Sequence, residues 1–161
     1  MTSDHPTTPS RALSFALGLV TASLGVLLSH LIIHFWIYGD GDAPTLRFFS
    51  RPGIPAGIVV AVSLAVFVAV LLSRRGASLE VSGRTTFAWA LVAALVLNVV
   101  PVFGMAWSER GGEYFSFGLY AMGLLTTPVA LVVTLLLTGL IVEGYQYCVR
   151  RSATKRQVKR S

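Results

Sequence analysis

Two histidines four residues apart, His30 and His34, are the side chains of this sequence best suited to chemistry. At about 100 degrees per residue they share one helix face, so both imidazoles can approach a single ligand. Met105 and Met122 supply the only other soft donors expected at a similar depth. Thioether and imidazole ligands together suit a soft ion such as Cu(I), and His with Met or His can ligate haem iron. Neutral imidazoles at that depth could equally relay a proton or bind a polar solute. The competing reading is structural, with neutral histidines hydrogen-bonded to neighbouring helices and methionines filling gaps in the core. The structural reading leads, so the expected cofactor is none, with copper or haem as the alternative.

Other chemistry is thin. No Gly-rich phosphate loop follows a strand, and neither HExxH nor CxxC occurs. Ser23 shares the histidine face, but nothing singles it out as a nucleophile, and it is read with Asn98 as polar core. No acid lies inside the apolar runs, which weighs against an ion-coupled transporter. The single cysteine, Cys148, rules out an intramolecular disulfide framework and reads as an inert interfacial thiol, with acylation as the alternative. The expectation is therefore a protein that is not an enzyme.

The elements that must position these residues are membrane spans. The chain has 161 residues, 54% of them hydrophobic and only 12% charged, which allows one compact helical domain and no separate soluble one. Ala12 to Gly39 holds no Asp, Glu, Lys or Arg and exceeds the roughly 30 Å hydrocarbon core of a bilayer. Arg11 ahead of an apolar run imitates a signal peptide, yet the run is too long and reaches Trp36 and Tyr38 without an A-x-A site, so it reads as a retained span. Spans are expected at about 12–38, 54–73, 86–107 and 114–142, forming an all-α, four-helix, up-down bundle over residues 12–147.

Within the first span, Leu13, Leu17, Val20, Leu24, Leu28, Leu31 and Phe35 make a bulky face expected to meet lipid. Gly18, Ala22, Gly25 and Ser29 make a small-residue stripe where another helix can approach closely. The second span, entered through Pro55, carries Gly57, Ala61, Ala65, Ala69 and Ser73 every four residues, and the simplest partner for that ladder is the small stripe of the first span. In the third, Pro101 cannot donate to Leu97, so a bend is expected with Asn98 beside the freed carbonyl. The fourth contains Pro128 and a small, hydroxyl-bearing face of Gly123, Thr127, Ala130, Thr134 and Thr138.

Residues 1–11 and 148–161 are expected to be disordered tails, joined to the spans by loops at 40–53, 74–84 and 108–113. The 13 basic residues outnumber the 7 acidic ones, but they sit at the ends of apolar runs, which points to anionic lipid rather than nucleic acid. Arg150, Arg151, Lys155, Arg156, Lys159 and Arg160 form the densest cluster and are the expected headgroup contacts. Counting loops by side, ten basic residues fall on the N-terminal side of the membrane and only Arg47, Arg51 and Arg110 on the other, which predicts cytoplasmic termini. The expectation is a bacterial plasma-membrane protein that serves as an accessory or scaffold subunit, partnered by another membrane protein or by itself. The rival expectation is a transport or redox component working through the outer His/Met cluster.

Overall fold

Four α-helices account for nearly all of the residues that the computed structural model describes, namely 9–38, 53–74, 79–108 and 117–158, with backbone alone for 37–38, 102–108, 117–125 and 153–158. They are α1 (Arg11–Tyr38), α2 (Gly53–Ser73), α3 (Gly83–Ser108) and α4 (Phe117–Val158). Each contains a stretch long and apolar enough to cross a membrane. The expected loops at 40–53 and 108–113 lie almost wholly outside the described residues, as do most of the N-terminal tail and residues 75–78.

The central element is α1. Among the described residues it packs against all three other helices, α3 and α4 also pack on each other, and α2 packs chiefly along α1, touching α4 where Phe67 meets Tyr145. Half of α1's spanning window is buried, against 6% of α2's. Contacts advance along α1 from Ser14 to Gly18 while they advance along α3 from Ser82 to Ala90, and they retreat along α4 from Thr138 to Thr134 as α1 runs from Thr21 to Gly25.

The distribution of polarity is inverted relative to a water-soluble bundle. Ser14, Thr21, Ser23, Ser29, Ser63, Thr86, Asn98, Thr134 and Thr138 are buried, while Ile58, Val62, Val96, Val100, Leu136 and Leu140 are exposed. Lipid is as apolar as leucine, so helix association draws on close packing and interhelical hydrogen bonds instead of apolar burial. The buried hydroxyls are satisfied mostly by the preceding turn of their own helix. Ser23 donates to the Val20 carbonyl at 3.0 Å, Ser63 to Val59 at 2.8 Å and Thr86 to Ser82 at 2.9 Å.

Three expectations are corrected. Leu13, Leu17 and Val20 do not face lipid: they are buried, Leu13 and Leu17 packing with Val81 and Val142 and against Phe67, Val70 and Leu71 of α2. Bulk alone cannot distinguish a lipid face from a helix groove, because aliphatic side chains suit both. Only further along do Leu28 and Phe35 of that face emerge. Second, Ser10 is fixed rather than part of a loose tail: its hydroxyl accepts the Leu13 N–H at 3.2 Å as the N-cap of α1, and its N–H donates to the Glu80 carbonyl at 2.9 Å. Third, α4 does not stop near 142 but continues to Val158, so 148–158 is helical. No proline interrupts it after Pro128, and Arg, Lys, Gln and Ala there are all good helix formers.

Candidate functional site

Polar and small side chains converge in two places: along the shared interior of α1, α3 and α4, and at the end of the bundle where α1 and α3 begin. Glycines set the interior spacing. A Cβ on Gly18 would stand 2.9 Å from the Thr86 carbonyl oxygen and 2.9 Å from Trp89 Cβ, so α1 and α3 meet backbone to backbone. A Cβ on Gly25 would collide with the Thr134 hydroxyl and stand 2.8 Å from Thr134 Cα, which brings α4 equally close. One stripe thus serves two partners in turn. Ala22 and Ser29, between and beyond these glycines, are fully buried.

That assignment leaves the ladder of α2 without the partner the sequence suggested. Gly57, Ala61, Ala65 and Ala69 are exposed, and a Cβ built on Gly57 meets nothing within 4 Å. The face that α2 turns to α1 carries Ser63, Phe67, Val70 and Leu71 instead. The reason is competition: the close approaches at Gly18 and Gly25 are taken by α3 and α4.

Hydroxyls and one amide join the helices across the interior. Thr138 donates to Thr21 Oγ1 at 3.0 Å, and Thr21 donates onward to the Gly18 carbonyl at 3.0 Å. Asn98, 2% exposed, donates through Nδ2 to Thr127 Oγ1 at 2.7 Å. Among the described residues its Oδ1 has no hydrogen-bond partner, and neither has the Thr134 hydroxyl. Asn98 therefore ties α3 to α4 rather than serving its own helix beside Pro101.

The histidines are half-buried on α1. His30 Nδ1 lies 2.8 Å from the Val26 carbonyl oxygen, and because a carbonyl can only accept, Nδ1 carries the proton. In the neutral ring this leaves Nε2 as the lone pair. Ser29 donates to the same carbonyl at 2.8 Å. His34 meets the ring of Phe35 edge to face at 6.4 Å. Among the described residues no group of three His, Cys, Asp or Glu side chains converges. The side chains of Met105 and Met122 lie outside the described residues, as do those of Lys155, Arg156, Lys159 and Arg160, whereas Arg150 and Arg151 are exposed on α4.

The second place is one that sequence reasoning missed. Residues Leu79–Ser82 run into α3, and all four of their carbonyls are occupied. Tyr145 Oη donates to Leu79 at 2.9 Å, the Ser10 N–H to Glu80 at 2.9 Å, Gln146 Nε2 to Val81 at 3.4 Å and the Thr86 N–H to Ser82 at 2.9 Å. The Ser82 N–H donates to Ser14 Oγ at 3.0 Å. This clasp binds the start of α1, the start of α3 and the far part of α4 into one end. The serines that begin two helices, Ser10 and Ser82, were its only sequence signal, as N-caps. Beside it opens a cavity of about 240 Å³ bordered by Glu80, Tyr145, Gln146 and Arg150.

No protein-family model matches this chain, and no curated protein or solved structure is significantly similar to it.

Proposed function

We propose that this multi-pass membrane protein is an accessory or scaffold subunit of a bacterial plasma membrane, and that it associates laterally through α2. The observation that carries the reading is the exposed ladder of Gly57, Ala61, Ala65 and Ala69 on a helix whose packing partner is chiefly α1. Small residues facing lipid forgo dispersion contact, whereas against another helix they allow close backbone approach. The ladder's partner is a second copy or another integral membrane protein. Both termini lie in the cytoplasm, with the helices alternating across the bilayer, a placement favoured by ten basic residues on one side against three on the other.

A second reading has one observation in its favour. Asn98 Oδ1 is buried without a partner among the described residues, and an unsatisfied buried acceptor costs about 1–3 kcal/mol unless a ligand or a change of state uses it. With His30 Nε2 it could serve a polar solute, a proton, copper or haem in a transport or redox component. The two readings separate in cells. Bulking the ladder with Ala61→Leu and Ala65→Leu is expected to abolish the phenotype of the parent protein at normal expression. Replacing both His30 and His34 by Ala is expected to leave it intact, and the opposite pattern would favour the transport or redox reading.

A further inference from the structure

We infer that α2 is a detachable helix, which swings off α1 into lipid while α1, α3 and α4 stay together. The inference rests on the membrane placement proposed above and not on what docks against the ladder of α2.

Hydrogen bonds divide the bundle unequally. Thr138 donates to Thr21, Asn98 to Thr127 and the Ser82 N–H to Ser14 Oγ, so α1, α3 and α4 are tied to one another in every pairing. Close backbone approaches at Gly18 and Gly25 add to those ties. Among the described residues no hydrogen bond joins α2 to another helix. Its serines serve their own turns instead, Ser63 donating to the Val59 carbonyl and Ser73 to the Val70 carbonyl, both at 2.8 Å. What holds α2 is apolar: Phe67, Val70 and Leu71 lie against the cluster of Leu13, Leu17, Val81 and Val142, and Phe67 meets Tyr145 edge to face.

The surfaces that separation would uncover differ in the same way. Lifting α2 turns Leu13 and Leu17 on one side, and Phe67, Val70 and Leu71 on the other, towards lipid tails, which are as apolar as leucine and restore much of the lost dispersion contact. Ser63, buried on the inner face of α2, keeps its bond to Val59 whether α2 is docked or not. Lifting α3 or α4 would instead break the bonds of Thr21, Thr138, Asn98 and Ser14 in a medium that offers no replacement donor or acceptor. Only 6% of the spanning window of α2 is buried when it is docked, so lipid already surrounds most of it. The boundary between α1 and α2 is therefore where this bundle opens most easily. Opening there gives α2 two states, one on α1 and one in lipid, and a partner that binds the two unequally shifts the balance between them.

The test is cysteine trapping in the full-length protein, with Cys148→Ser as the background and one copy per lipid nanodisc so that no second copy covers α2. Ser63 and Ser29 are matched sites, both buried and both bonded to a carbonyl of their own helix, but Ser29 lies one turn beyond Gly25 on the stripe that meets α3 and α4. A lipid-soluble alkylmaleimide reacts with each single cysteine, and each rate is divided by that of an exposed neighbour at the same depth, Val62→Cys for Ser63→Cys and Leu28→Cys for Ser29→Cys. Ser63→Cys is expected to react at about 1–10% of its neighbour's rate, the share of a minor state a few kcal/mol away, and Ser29→Cys to be protected at least about tenfold better. Phe67→Ala is expected to speed the reaction at Ser63→Cys about fivefold, the change that about 1 kcal/mol of lost packing gives, and to leave Ser29→Cys as it was. Equal protection at the two serines in the parent background overturns the inference without recourse to Phe67→Ala. Phe67→Ala loosening both sites alike would show one cooperative bundle and overturn it too. Absence of α2 cross-links between proteins would refute lateral association and leave this result standing.

Discussion

The hydroxyls of Thr21 and Thr138 lie 3.0 Å apart, the donor on α4 and the acceptor on α1, in an interior where neither meets water. Thr138 Oγ1 also stands 2.7 Å from the Thr134 carbonyl of its own helix, so each threonine has a local alternative when its partner is removed. The pair should therefore couple only modestly. A double-mutant cycle with Thr21→Val and Thr138→Val is expected to give an interaction of about 0.6 kcal/mol, the average for such bonds between membrane helices. Reversible unfolding in mixed micelles measures it, and a coupling of zero would mean that the hydroxyls bond only within their own helices.

Gly25 and Gly57 make opposite predictions for the same substitution. Gly25→Ala forces a Cβ to within 2.8 Å of Thr134 Cα, so α1 and α4 must separate, at a cost of about 1–3 kcal/mol. Gly57→Ala meets nothing and should stabilise α2 by up to about 1 kcal/mol through helix propensity. Thermal melting of the two variants in one detergent checks the order, and equal melting temperatures would contradict the helix assignment.

Tyr145 holds the clasp from α4. Tyr145→Phe keeps the edge-to-face contact with Phe67, at 6.3 Å, and deletes only the donor to the Leu79 carbonyl. The expected loss is about 1 kcal/mol, the net value of an ordinary hydrogen bond. Faster hydrogen exchange at the start of α3, relative to the middle of α1, would locate the effect there.

The spans themselves were legible, because a run such as Ala12 to Gly39 has few alternatives to a membrane helix and its length fixes its kind. The identity of packing stripes was also legible within one helix: Gly18 and Gly25 both mark close approaches. What could not be read was the pairing. A small stripe states that some helix can approach, not which one, and the two glycines chose α3 and α4 over α2. Leu13 and Leu17 were indistinguishable from lipid-facing residues for the same reason, since lipid and helix grooves accept leucine alike. The clasp was hidden more deeply, because it joins the backbone carbonyls of Leu79 and Val81 to side chains more than sixty residues away. His30 shows the limit of spacing arguments: its position beside His34 puts two imidazoles on one face, but does not reveal the bond to the carbonyl one turn back that fixes the Nδ1 proton and leaves the lone pair on Nε2.

The exposed ladder separates two effects of a substitution at Ala65. Within a single copy Ala65→Leu points away from the bundle and should leave its melting temperature unchanged, while it obstructs any helix docked on the ladder.

Cysteine cross-linking in native membranes tests the role of α2 most directly. With Cys148→Ser as the background, single cysteines at Ala61 and Ala65 are compared with one at Leu136, a 66%-exposed position on α4. The account predicts oxidation-dependent adducts, either of doubled mass or with a defined larger partner, at Ala61 and Ala65 and none at Leu136, with Ala69→Leu weakening them. Monomer alone at both ladder positions, or equal adducts at Leu136, would contradict it and leave the ladder as a surface that meets lipid.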